Sequence, residues 1–327
     1  MIREISFITL LAVSNFFVNG SVASAQHSPN IIRCEPIGRI LNTGDLGKKK
    51  GSSICPKDNL KPKEGQKVKI LCYLNRKVLE LGEGAVDDSP DKCVKSSSQD
   101  LHKCTPQNQS KCPRTRSQQA KHGPIITYPY GNFILADTSL LLSWQPISKA
   151  TTYTITLNGK GIDWSEQTSS TKLVYSGESP IISGNIYKLN IIANENNSPI
   201  SASSTILIVL SEREAEQIKL NTKKIQNFDL TLDEKARDLD TLYGSYNLLT
   251  ESIRILSQRI NSGSNSPNLH RLLGDRYMEA GFPGKAKPLY AKANKLAQKF
   301  NHKIEQKLAQ KGLEQIGLLK KYSTTNH

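Results

Sequence analysis

Ala150-Thr151-Thr152-Tyr153-Thr154-Ile155-Thr156 alternates threonine with large aromatic or aliphatic side chains, the period-two pattern of a strand with one buried face. The surrounding residues, 125–210, are rich in Thr, Ile, Leu, Val and Tyr, with turn signals at regular intervals. Strands are predicted over 125–128, 138–144, 151–158, 161–168, 171–175, 185–193 and 203–210. Seven short strands in so little chain read as a β-sandwich.

C-terminal to this segment the period becomes helical. Ser211-x-x-Glu214 and Thr231-x-x-Glu234 have capping-box spacing, in which the hydroxyl accepts from one free amide and the carboxylate from another. Apolar residues follow at helix intervals: Ala215, Ile218 and Ile225, then Ala236, Leu239, Leu242, Tyr243 and Tyr246. Ser266-Pro267 opens another helix that stops at Gly281, and Pro283 opens the next. Helices are thus expected over 211–321, with a disordered tail at 322–327.

N-terminal to the sandwich, residues 31–95 mix short apolar runs with Gly, Pro and Lys, and Gln66-Lys67-Val68-Lys69-Ile70-Leu71-Cys72-Tyr73 alternates. This predicts a small β module that disulfides can staple. Cys34, Cys55, Cys72, Cys93, Cys104 and Cys112 all fall N-terminal to the sandwich, in this module and the polar segment after it, as a stapled domain in an oxidising compartment requires. Their pairing is open. Residues 96–124 are polar and read as a linker or crosslinked loop.

Arg3, an apolar run from Ile5 to Val13, and Ala23-Ser24-Ala25 form the secretory pattern, so residues 1–25 are expected to be a signal peptide. No later segment has the apolar length of a membrane span. The expectation is a multi-domain α and β protein, periplasmic or extracellular, with separate interiors between sheets and between helix pairs. Its net charge of +15 is concentrated in two basic segments that flank a neutral sandwich.

Three resemblances add to this reading. Leu142-Ser143-Trp144-Gln145-Pro146, the Tyr153 strand and Gly184-Asn185-Ile186-Tyr187 together resemble a fibronectin type III domain, which implies Trp144 and Tyr153 in the core and a Tyr187 hydroxyl fixing a strand crossover. Leu273-Gly274-x-x-Tyr277 with Ala286, Tyr290 and Ala293 resembles the tetratricopeptide pattern, and a 34-residue shift places Leu239 and Tyr243 under Leu273 and Tyr277. Asp240 stands where that pattern has glycine, Arg259 where it has a small residue and Gln298 where it has proline. A degenerate further copy spans Ile304 to Lys320. The Gly44-Asp45 turn and the stretch Val68-Lys69-Ile70-Leu71-Cys72 are similar to the small β domain of FecR-type sensor proteins.

Catalytic motifs such as G-x-S-x-G, H-E-x-x-H or a phosphate-binding glycine loop do not occur in the sequence. The carboxylates Asp87, Asp88 and Asp91 read as a solvated turn, and His102 beside Cys104 lacks the C-x-x-C pair of a zinc set. No catalytic residue, metal or cofactor is expected, and no nucleic-acid partner. The expected function is a non-catalytic envelope adaptor for a protein or peptide. The alternatives are a sensor or regulatory subunit of a membrane system, and an envelope hydrolase.

The tetratricopeptide resemblance implies a partner groove with Tyr243, Asn247, His270, Arg271, Asp275 and Arg276 on or beside it. Lys292, Lys295, Lys299, Lys303, Lys307 and Lys311 recur every three or four residues as a basic ridge suited to an anionic surface, provided that Asn301-His302 does not break the helix.

Overall fold

A computed structural model describes residues 34–85, 93, 123–135 and 140–324. The expected signal peptide, most of the linker, Cys104, Cys112, Asp87, Asp88, Asp91, His102 and the last three residues lie outside the described residues. The described chain is β in its first part and helical in its last, a mixed α and β protein.

Six short strands come first: β1 Gly38–Ile40, β2 Ser53–Ile54, β3 Asn59–Leu60, β4 Val68–Cys72, β5 Lys77–Leu81 and β6 Gly84–Ala85. They form a four-stranded sheet of order β2-β1-β4-β5 and a β3-β6 pair, all antiparallel. Cys34–Cys55 and Cys72–Cys93 are disulfide-bonded. Ile40, Ile54, Leu60, Val68 and Ile70 fill an interior too small to hold the fold alone, which is where crosslinks contribute most. Leu71 alternates to the other face of β4 and is buried as well, because that face is covered by helices.

The next strands are β7 Ile126–Tyr128, β8 Leu141–Trp144, β9 Thr152–Gly159, β10 Ile162–Thr168, β11 Lys172–Val174, β12 Ile186–Glu195 and β13 Ser198–Ile208. They make one sheet of order β10-β9-β12-β13 and another of order β11-β8-β7. Both contribute to a single apolar cluster: Leu142 and Trp144 from one, Tyr153, Ile155, Leu157, Tyr187, Leu189 and Ile191 from the other. The Trp144 and Tyr153 rings meet edge-on at 5.4 Å. The Tyr187 hydroxyl accepts from the Ile182 amide at 2.9 Å, an upstream backbone bond of the kind its position implied.

β13 begins five residues before the expected strand. Asn196 and Asn197 both have positive φ, 49° and 66°, and join Glu195 to its register partner Ser198 in a two-residue hairpin. That turn extends pairing through Ser198–Ala202, a polar stretch in which an outward-facing strand and a loop look alike in sequence.

Six helices follow: α1 Glu212–Gln226, α2 Leu232–Ser245, α3 Leu249–Asn261, α4 Pro267–Glu279, α5 Pro283–Lys299 and α6 Lys303–Thr324. Both capping boxes form, Ser211 with Glu214 and Thr231 with Glu234, and Ser266 caps α4 with Pro267 in its first turn. Gly263 and Gly281, at φ 93° and 87°, stop α3 and α4.

The sandwich keeps an apolar cluster of its own, but the small β module shares one with the helices. Leu41 and Leu71 of the first sheet share a cluster with Leu210, Ile218, Ile225, Leu239 and Leu242. A strap after β7 also crosses to the helices. The Tyr130 amide donates to the Thr250 hydroxyl, the Asn132 amide to the Asn247 carbonyl, and the Tyr130 ring packs edge-on against Phe282. Gly131 (φ 68°) is required there, since a Cβ would sit 2.5 Å from the Asn247 carbonyl oxygen.

Candidate functional site in the helical layer

Two groups of charged residues lie inside the helical layer. Arg276, 3% exposed, makes a two-pronged contact with Asp240 of α2 at 2.7 and 3.0 Å and donates to Glu279 at 2.7 Å. Glu279 also accepts from Arg76, in the turn between β4 and β5. Burial disfavours the Arg276 charge, but Asp240 and Glu279 outweigh it and raise its pKa. In the second group Arg271 donates to Asp275 at 2.6 Å and to both oxygens of Glu305 on α6, while Asn268 donates to Glu305 and the Tyr290 hydroxyl to Asp275. Burial of Glu305 opposes ionisation, yet Arg271 and Asn268 hold its carboxyl below the usual range.

A third group fastens the first sheet to α2. Arg39 and Asp238, both fully buried, form an ion pair. Arg39 also donates to Glu234 at 3.0 Å and to the Gly51 carbonyl at 2.7 Å, and the Tyr73 hydroxyl donates to Asp238 at 2.7 Å. Burial pushes the Asp238 carboxyl up against the opposing pull of Arg39 and Arg237.

These contacts correct the expected groove. His270 and Arg276 are buried, at 5 and 3% exposure, and cannot form an open face, while Tyr243 is mostly buried and faces α1 rather than His270 or Arg276. The His270 ring donates from Nδ1 to the Ser266 carbonyl at 2.9 Å. Arg271 and Asp275 are joined to each other and to α5 and α6. Asn247 is in the α2–α3 turn, at φ 57°, where the strap holds its carbonyl. The set resolves into packing and ion pairing rather than one binding surface. The basic ridge is also corrected. Lys292, Lys295 and Lys299 lie on α5 and Lys303, Lys307 and Lys311 on α6, and all are exposed, but Asn301 (φ 54°) in the intervening turn divides them into two rows.

Sequence reasoning missed Arg39, Tyr73, Arg76, Asp238 and Asp240. A signal was present in the departures from the repeat pattern: Asp240, at a glycine position, holds Arg276, and Arg259, at a small-residue position, donates to Asp233 at 2.5 Å.

Among the described residues a groove of about 980 Å³ lies open beside α1. One face of α1 forms a wall with Ala215, Ile218, Lys219 and Thr222, and Tyr243 of α2, Glu251 of α3 and Ile134 of the strap complete it. Burial raises the Glu251 carboxyl, and its Oε2 has no hydrogen-bond partner among the described residues. Also among the described residues, no three His, Cys, Asp or Glu side chains are placed to hold a metal, and no helix is long and apolar enough to cross a membrane.

No family model and no curated protein matches the chain. Among solved structures, PcrH from Pseudomonas aeruginosa is 16% identical over 32% of this chain and 83% of its own, with a TM-score of 0.28. PcrH in complex with the chaperone binding region of PopB is 16% identical over 32% and 85%, with a TM-score of 0.26. The fn3 domain of human collagen alpha-1(XX) chain is 15% identical over 29% and 94%, with a TM-score of 0.23. Likenesses of this size carry no functional argument.

Proposed function

We propose that this protein is an exported, non-catalytic adaptor that receives a peptide or protein segment in the groove along α1. The groove itself carries the reading. It is open, its apolar wall of Ile134, Ala215, Ile218 and Tyr243 suits an apolar side chain, and Arg213, Lys219 and Lys223 edge it with polar groups. The ionisable groups inside the helical layer, by contrast, are closed on one another, an arrangement that holds helices together and presents nothing to a substrate.

Export is supported by the leader pattern and by the two disulfides, which persist in oxidising compartments. A tetratricopeptide-type helical layer is supported by the 34-residue period and by Gly274, where a Cβ would lie 2.8 Å from the Tyr290 ring. A fibronectin-type sandwich is supported by the core position of Trp144 and by the Tyr187 bond. A second reading, a sensor or regulatory subunit, is favoured by the Arg39–Asp238 pair, which would pass a change in the first sheet directly to α2.

The test is recovery of partners by the mature full chain from its own envelope fraction, beside a Thr222→Trp variant that fills the groove. Proteins held by the wild type and lost by the folded variant are expected. The same proteins on both would exclude the groove, and clearing of envelope polymer in a zymogram would replace the adaptor with a hydrolase.

A further inference from the structure

α6 has two apolar rows. The inner one, with Ala309 and Ile316, is buried against the preceding helices together with the acidic Glu305. The outer one is open: Ile304 is 52% exposed and Leu308 40%, one turn apart, and Phe300 in the turn before α6 is 52% exposed. Four-residue spacing aligns Ile304 and Leu308 as one ridge on the helix surface, and Phe300 lies outside that helix, in the turn before it. Lys303, Lys307 and Lys311, all exposed, repeat the same spacing directly beside it. Between Lys303 and Lys311 the one acid, Glu305, is turned inward to Arg271, so the row keeps its field as far as the exposed Glu314, one turn beyond Lys311.

We propose that this outer face docks an acidic amphipathic helix of a partner protein, one with an apolar ridge against Ile304 and Leu308 and carboxylates opposite the lysines. Charge and shape select that occupant: the exposed lysine row calls for carboxylates on the partner, and the apolar ridge beside it calls for apolar side chains. A second copy of the chain, placed symmetrically, sets lysine row against lysine row, and like charges exclude it. The apolar row is a single ridge bordered by lysines, which fits the groove of another helix, whereas an interfacial helix sinks a broad apolar face into a bilayer. This surface is separate from the α1 groove and does not depend on it.

The test uses the full disulfide-bonded chain and two labelled helical peptides of about 20 residues. One has leucine every fourth residue flanked by glutamate, and its twin has glutamine for each glutamate. Phosphatidylglycerol vesicles form a third arm. In fluorescence anisotropy at low salt the acidic peptide is expected to bind about tenfold more tightly than its twin, an advantage that added salt removes. Leu308→Asp and Ile304→Asp, both at exposed positions, should abolish binding with helix content unchanged. Lys303→Glu with Lys307→Glu should cancel the preference for the acidic peptide. Thr222→Trp should leave all of this unaffected, which separates the result from the groove test. Equal binding of both peptides, binding indifferent to Leu308→Asp, or binding to vesicles alone would overturn the proposal, the last in favour of a lipid surface.

Discussion

The paired sheets of 123–210 and the helical layer after Ser211 are both well filled, but with different material. Between the sheets the interior is apolar, centred on Trp144, Tyr153, Ile155, Leu157 and Leu189. Among the helices Arg276, Asp240, Glu305 and His270 are buried beside leucine and alanine. A dry interior is held by area and volume, so its energy follows the size of what is removed. A charged interior costs desolvation that only complete pairing offsets, so its energy follows whether a partner remains.

The sharpest way to break this comparison is to remove one member of a buried pair. Asp240→Ala leaves the Arg276 guanidinium without its two-pronged partner and is expected to cost about 3–5 kcal/mol in urea denaturation. Asp240→Leu combined with Arg276→Met should recover most of that loss, because both desolvation costs disappear together. Trp144→Ala in the sheets is expected to cost about 3–5 kcal/mol by the same measurement, through lost area and a cavity. No second change of charge can rescue it. Equal rescue in both regions, or in neither, would erase the distinction.

Tyr290 tests packing inside the helical layer. Its ring lies between Gly274 and Gly312, and a Cβ on Gly312 would approach it to 2.7 Å. Gly312→Ala is therefore expected to destabilise by about 1–3 kcal/mol, read as a lower urea midpoint.

A smaller effect should appear with acid. The folded Glu305 carboxyl titrates below its ordinary value, so the unfolded chain takes up the proton first as pH falls. Its contribution is complete above the unfolded value of about 4.3 and is lost as pH drops through the lower folded value. Urea midpoints measured across that window should fall less steeply for Glu305→Gln than for the wild type. The smallest change, Ser211→Ala at the start of α1, should cost about 1 kcal/mol by removing one capping bond.

The same contrast explains what was legible beforehand. Alternation at Tyr153, Ile155 and Leu157 names the inward residues because a strand has only two faces. Capping boxes at Ser211 and Thr231 were equally plain, since each is complete within four residues. Arg39 and Asp238 lie 199 positions apart, and a charged residue looks the same in sequence whether it faces water or a buried partner. Arg271, Asp275 and Arg276 were accordingly expected on a binding face, when the fold uses them as internal fastenings. The α1 groove was missed for a related reason: it is made by Ile134, Tyr243 and Glu251 arriving from three separate elements.

Strand β4 has both faces covered, Val68 and Ile70 by its own small sheet and Leu71 by the helices that follow much later in the chain. Synthesis runs the other way. Until α1 and α2 have been made, the small β module has nothing to cover Leu41, Leu71 and the Arg39 guanidinium. The small β module thus finishes its packing only once α2 is in place, and a truncation ending before α2 leaves it with a sticky, charged wound rather than a free-standing domain.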